Sequence, residues 1–328
     1  METSPSFAGP FALGTFSAGD GPAFPGLVAE GRVLDLRTVP ELDLPEPTTR
    51  ALLERWDDVL PLLTEAARST AGEWLPWSAL RVHAPVEPRQ LFQAGANYRT
   101  HVIDLVVAHE PPNGRPPEQV RAEAAAMMDR RAAEGEPYVF LGLPSSITGP
   151  YDPVVIPSWC EKPDWELELA AVIGRPAFRV SRERALEHVA AYTIANDITA
   201  REAVFRKDVG EMGADWLRAK NAPTFTPLGP YLVPAAFVGD PGDLQVTLRL
   251  NGEVMQDEST KDMIFDVARI VSAVSQTVRL LPGDLVLTGS PAGNGLHHGR
   301  LLRPGDVMEG TITGLGVQRN RCVAEEEG

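Results

Sequence analysis

Three carboxylates carry most of the chemistry that can be read from this sequence. Glu166 and Glu168 stand two residues apart in the run Asp164-Trp-Glu-Leu-Glu-Leu-Ala-Ala-Val-Ile-Gly174. Trp, Leu, Val and Ile closed by a Gly predict a strand. Residues two apart in a strand share a face, so both glutamates point one way and Leu167 and Leu169 the other. Two like charges on one face repel, and burial sharpens the repulsion. A bound cation resolves it, although a solvated strand face also tolerates two glutamates, and spacing alone leaves that plainer reading standing. Asp197 sits in Tyr192-Thr-Ile-Ala-Asn-Asp-Ile-Thr-Ala-Arg-Glu202, where strand-like sequence passes into helix-like sequence. Three carboxylates without His or Cys suit a hard ion, Mg²⁺ or Mn²⁺ with Ca²⁺ also admissible, and leave coordination positions for substrate oxygens and water. Thr199 and Glu202, just after Asp197, have the spacing of a helix capping box.

The elements that must position these groups divide the chain in two. Residues 1–88 read as a small N-terminal α+β domain. Arg32-Val-Leu-Asp-Leu36 predicts a strand, and Thr48 to Ala67 predicts a helix with Leu52, Leu53, Trp56, Leu60 and Leu63 on one side. Residues 89–328 read as the larger, mostly β part. Within it, a Pro-rich break at Pro111–Pro117 precedes Glu118 to Glu134, a helical insertion that suits either a lid or a packing element. Pro-Gly-Asp occurs at 241–243, 282–284 and 304–306, each time before a β-type run. Pro presets φ and Gly accepts positive φ, so these are turns of a twisted β-roll, and Asn251-Gly252 is a hairpin turn. Met263 to Val278 predicts a helix with a core stripe of Ile264, Val267, Ile270, Val271 and Val274.

Composition excludes some classes. The 328 residues carry a formal charge of -15, which repels phosphate backbones and anionic membranes. No run approaches the length of a membrane helix, and Met1–Pro10 has no signal-peptide pattern. Two cysteines, Cys160 and Cys322, without metal-type spacing, read as reduced thiols of a cytoplasmic protein. His83, His109 and His188 are isolated, and His297-His298 reads as a surface loop. The Gly289–Gly299 run lacks a P-loop Lys-Ser/Thr and a G-x-G-x-x-G, so it reads as a turn whose N–H groups face the substrate. No Gly-x-Ser-x-Gly elbow is present.

An ordered set of segments resembles the fumarylacetoacetate hydrolase family: Gly95-Ala-Asn-Tyr-Arg-Thr-His101, Asp164–Ala170, Asn196–Arg201, Lys220 in Ala-Lys-Asn-Ala-Pro-Thr-Phe225, Leu250–Glu253, Leu281–Gly293 and Gly314-Leu-Gly316. Each is weak alone; in this order, over roughly 91 to 320, they are specific. The resemblance implies an α+β, predominantly β fold with a β-roll C-terminal domain, and a homodimer. It implies that Glu166, Glu168 and Asp197 hold a divalent metal, that His101 is the catalytic base on a mobile segment, and that Lys220 lies near the substrate. It places Arg201, Ser290 and Tyr98 at the substrate, with Ser290 where the family usually has Thr. Asp104 stands three residues after His101 where many members have Glu, so the partner of His101 is Asp104 or another acid such as Glu110. Phe140-Leu-Gly-Leu143 stands where a Lys is often found, and Val204 where some hydrolases have Gln. The implied activity is metal-dependent hydrolysis of a C–C bond in an acylpyruvate-like 2-oxo acid through an enolate. Decarboxylation, isomerisation or hydration of a 2-oxo acid uses the same site, and a non-catalytic binder is the alternative of another class.

Overall fold

A computed structural model describes residues 6–69, 72–108, 110–111, 114–206, 208 and 210–326. His109 lies outside them, as do parts of the N-terminal run and of the Pro-rich break. The fold is mixed α/β and strand-rich.

Residues 12–83 build a five-stranded sheet around the hairpin of Ala12–Ala18 and Phe24–Ala29. The expected strand at Arg32 is present as Arg32–Asp35. The single helix expected over 48–67 is two, Thr49–Leu53 and Trp56–Ala66. The chain breaks at Arg55, whose guanidinium is drawn away to the Leu42 and Asp43 carbonyls. This sheet does not close its own core. Leu13, Leu27 and Leu34 share one apolar cluster with Leu91, Ala170, Val172, Leu285 and Leu287 of the central sheet.

That central sheet has six strands, ordered Val233–Pro234, Val189–Asn196, Leu167–Ile173, Leu285–Leu287, Leu91–Gly95 and Tyr138–Gly142. Leu167–Ile173 and Val189–Asn196 are buried along their whole length, which is why both read as near-continuous apolar runs. A second five-stranded sheet, containing Gln245–Leu250, Glu253–Ser259 and Val307–Ile312, packs alongside. Its Asn251-Gly252 hairpin has φ of 54° and 89°, as a turn of the primed type needs. In the turns at 282–284 and 304–306, Gly283 and Gly305 take φ of 88° and 99°. In both, the Asp carboxylate accepts from the backbone three residues back, Leu281 N and Arg303 N, at 2.7 Å.

The expected helix at 263–278 begins at Val267, where Asp266 caps it by accepting from Arg269 N. Met263 to Phe265 instead pair with the Asn97 loop. Ile264 N donates to Asn97 O, and the Asn97 side chain bonds Phe265 N, Phe265 O and Thr288 O. The insertion helix, Pro117–Glu134, opens on a Pro at its first turn and packs against a helix at Arg99–Ala108. Ile103, Ala124 and Met128 form the small core between them. Among the described residues no helix is long and apolar enough to cross a membrane. Cys160 and Cys322 are buried and free, and burial pushes both thiols up to about 12.

Candidate active site

The carboxylates are brought together by the register of one strand pair. Leu167 pairs with Asn196 across the central sheet, so Glu166 lies beside Asp197 and Glu168 opposite Ala195. The regular strand starts at Leu167, three residues later than expected, because Pro163–Asp164 pairs separately with Thr199–Ala200. Glu166 remains tied down: its N–H donates to Asn196 Oδ1, and its carbonyl accepts from Asp197 N at 2.8 Å. The capping box does not form. Thr199 donates to the Asp197 carbonyl, and Glu202 accepts from Glu161 N and Lys162 N, because this segment is strand until Ala200.

One oxygen from each of Glu166, Glu168 and Asp197 lies within 4.8 Å of the others, the one such acidic, His or Cys group found among the described residues. Lys220 Nζ, also buried, sits 2.9 Å from Glu166 Oε2 and 2.5 Å from Asp197 Oδ2. Arg201 bridges Asp164 Oδ2 at 2.8 Å and Glu166 Oε1 at 2.5 Å. Four carboxylates thus face two cations, leaving a formal charge of -2 that one divalent ion cancels. The titration pattern reflects the imbalance. Burial raises Glu168 well above the usual carboxylate range, and the Asp197 charge adds to it. Burial also lifts Asp197, to about 6, against the pull of Lys220. Glu166 is only partly exposed, but Arg201 and Lys220 together hold it down at about 2 against the cost of burial.

Three of the six buried side-chain polar atoms without a well-formed hydrogen bond among the described residues belong to this cluster: Gln93 Oε1, Tyr98 Oη and Arg201 Nη2. Arg201 Nη2 has its close ion pair but not the alignment of a hydrogen bond, and Tyr98 is in only loose polar contact with Thr288. Buried polar atoms left open around an all-oxygen donor set fit a site built for a hard cation and a polar ligand.

The other expected residues gather here to different degrees. His101 is buried on the helix Arg99–Ala108, and burial pushes its imidazole below the ordinary value while the nearby Glu166 charge opposes. Tyr98 is fully buried; burial and the Glu168 charge push its phenol up. Ser290 follows Gly289, whose N–H donates to Glu168 Oε2 at 2.7 Å, and its hydroxyl accepts from Gln256 at 2.9 Å. The Gly-rich turn therefore serves a carboxylate of the triad with its first N–H. Asp104 is turned outward to Arg121 at 2.8 Å, on the insertion helix, and Glu110 pairs with Arg115 at 2.9 Å. His297 and His298 are exposed and His188 is half-buried, none of them joins the triad, and His83 bonds Ser17 in the N-terminal sheet.

Sequence reasoning missed three supports. Gln93 Nε2 donates to Asp197 Oδ1 at 2.6 Å. Asp164, fully buried, accepts from Arg201 and from Gly295 N and Leu296 N, fastening the loop after Ser290. Asn97 fastens the Tyr98–His101 segment. The usable signal for Gln93 was a polar residue interrupting the apolar strand Leu91-Phe-Gln-Ala94.

Comparison with known proteins agrees with this geometry. The model of the fumarylacetoacetate (FAA) hydrolase C-terminal region matches residues 90–323. Oxaloacetate tautomerase FAHD2B, mitochondrial, of Homo sapiens is 36% identical over 266 residues, 80% of this chain and 76% of that protein. A 2,4-didehydro-3-deoxy-L-rhamnonate hydrolase of Sphingomonas sp. is 44% identical over 191 residues, 57% of this chain and 65% of that protein. Among solved structures, a probable 2-hydroxyhepta-2,4-diene-1,7-dioate isomerase of Mycobacterium abscessus superposes with a TM-score of 0.71 at 32% identity, covering 96% of this chain and all of that one. With its ordered motifs, its strand-rich fold and these relatives, the chain belongs to the fumarylacetoacetate hydrolase family.

Proposed function

We propose that the protein is a divalent-metal-dependent enzyme that acts on a small 2-oxo acid through its enolate, and that proton transfer to and from that enolate, a tautomerisation or isomerisation, is the reaction its residues serve best. The observation that carries this reading is the charge-deficient triad with a buried histidine beside it. Glu166, Glu168 and Asp197 would hold the ion, Mg²⁺ or Mn²⁺ by its oxygen donors. When bound, it would supply Lewis-acid stabilisation of the negative charge that develops on the keto oxygen of a 2-oxo acid.

The protein's own groups do the rest. His101, its pKa depressed by burial, is neutral at pH 7 and takes or returns a proton at the carbon next to the keto group. Lys220 stays protonated between Asp197 and Glu166 and neutralises charge at the site. Tyr98 Oη, kept protonated by burial, and Ser290 Oγ offer hydrogen bonds to substrate oxygens. Arg201 acts through Glu166 and Asp164, holding the ligand carboxylates in place, more than as a free substrate anchor.

The second reading is hydrolysis of a C–C bond in an acylpyruvate, with His101 deprotonating water. Similarity to the rhamnonate-series hydrolase favours it. Against it stands the engagement of Asp104 with Arg121, which turns the expected orienting acid of His101 away. Similarity to the tautomerase extends over more of the chain, and the isomerase structure aligns over nearly all of it. We further propose residues 1–88 as a supporting domain to a catalytic part at 89–328, a homodimeric assembly and a cytoplasmic location.

The test strips the protein with chelator and assays oxaloacetate, acetylpyruvate and fumarylpyruvate with and without Mg²⁺ or Mn²⁺, following enol–keto interconversion and products separately. Metal-restored interconversion without new acids supports the first reading. Two acids from one acylpyruvate would establish the second. No metal-dependent turnover of any of the three would overturn both.

A further inference from the structure

Tyr138, Phe140 and Trp216 form an aromatic wall beside the triad that the reaction as described does not use. Phe140 and Trp216 stack with centroids 4.5 Å apart and planes 14° from parallel. Trp216 Nε1 donates to Tyr138 Oη at 2.7 Å, which fixes the third ring against the pair. The wall adjoins the site through two independent connections. Phe140 is the direct cross-strand partner of Gln93, whose amide holds Asp197. Lys220 Nζ, seated on Glu166 and Asp197, lies 5.8 Å from the Phe140 centroid and 6.0 Å from that of Trp216.

The wall is only half covered. Phe140 and Trp216 are intermediate in burial, and Tyr138 is 49% exposed. Large aromatic rings contribute most when both faces are shielded from water, so a half-open stack next to a buried polar site has apolar area to offer a ligand that reaches out of that site. Its chemistry is uncharged: three rings and the phenol and indole that bond each other. The two cations at the triad, Arg201 and Lys220, are each already engaged by two carboxylates. A second carboxylate at the far end of a substrate packed on these three rings would find Lys220 within reach but already held by two carboxylates.

We propose that the substrate is a 2-oxo acid whose distal end is apolar, an aryl or branched alkyl group that packs on Phe140 and Trp216, and not a dicarboxylate such as oxaloacetate. The proposal rests on the reading of the triad as a 2-oxo acid site. It assigns Phe140 and Trp216 the choice of substrate, and the carboxylates and His101 the chemistry.

The experiment compares phenylpyruvate with oxaloacetate as tautomerisation substrates of the Mg²⁺-loaded full-length protein, in the wild type, Trp216→Ala and Trp216→Phe. Binding of the non-enolisable pair phenylglyoxylate and oxalate is measured by calorimetry in parallel. The expected result is a kcat/KM for phenylpyruvate at least roughly tenfold above that for oxaloacetate, the benefit of one shielded ring. Trp216→Ala should remove that preference through KM and weaken phenylglyoxylate alone, and Trp216→Phe should restore most of it. Equal losses on both substrates and both binders would mean that Trp216 merely braces Lys220, and would overturn the proposal. So would a wild-type preference for oxaloacetate, which leaves the 2-oxo acid reading intact. Failure of both substrates and both binders with metal bound would overturn that reading and this proposal with it.

Discussion

The carboxylate triad and the His101 helix face the same site but are held by different means. Glu166, Glu168 and Asp197 hang on two neighbouring, wholly buried strands, and their spacing follows from backbone register. His101 rides on a helix whose outer support is another helix, with a core of Ile103, Ala124 and Met128 and the surface ion pairs Arg99–Asp129 and Arg121–Asp104. Sheet register is set by many hydrogen bonds at once, whereas the two-helix contact rests on a small apolar core and surface ion pairs beyond the Asn97 bonds at its start. The carboxylate half is therefore built to stay fixed against charge repulsion. The His101 half is held by a smaller core.

The largest expected effect tests the fixed half. Glu168→Ala removes one oxygen donor and the most strongly destabilised charge in the cluster. Mn²⁺ binding followed by calorimetry should lose its saturable site, and metal-dependent turnover should fall by about 10³-fold or more, several kcal/mol of lost charge stabilisation. The metal-free protein should melt at the same temperature or higher, because a buried carboxylate beside Asp197 costs stability when no cation is present. A variant that melts lower in the metal-free state while retaining Mn²⁺ affinity would show that the triad is a structural network and not an ion site.

The next effect belongs to the His101 half. His101→Ala should lower kcat/KM by about 10²- to 10⁴-fold while Mn²⁺ affinity stays within a few-fold of wild type. The pH profile adds a sign. Burial lowers the His101 pKa from 6.5, and in the proposed reaction the neutral form is the base. Activity of the metal-saturated enzyme should thus persist as pH falls through 6.5 and decline only below it, a limb that His101→Ala abolishes. An acid limb centred above 6.5 would mean that another group titrates.

This division also explains what the sequence could and could not convey. Glu166 and Glu168 are legible because a strand's period of two is local, and the motif order around them makes the family recognisable. The roles of Gln93 and Asn97 are not, since their partners Asp197 and Phe265 lie 104 and 168 residues away and a polar residue in a strand carries no local mark of its partner. The capping box at Thr199 failed for a related reason: the spacing was right, but pairing with Pro163–Asp164 kept the segment extended. Asp104 reads as a partner of His101 from the family resemblance, which places an acid three residues after the His, a spacing that on a helix brings side chains together. What overrode that proximity was Arg121, supplied by an insertion whose packing face could not be assigned from sequence.

The smallest effect follows from that override. Arg121 and Asp104 are a partly exposed pair, and such pairs contribute only about 0.2–1 kcal/mol, so Arg121→Ala should leave melting nearly unchanged and kcat/KM at pH 8 within about threefold. Its consequence is electrostatic. Released from Arg121, the Asp104 carboxylate is one helical turn from His101 and unneutralised, which favours the imidazolium and raises the His101 pKa. The acid limb of kcat/KM should therefore move to higher pH in Arg121→Ala than in wild type, and return when Asp104→Asn is added. A limb that stays in place would mean that Asp104 does not couple to the base even when free, and that the two-helix contact holds His101 by packing alone.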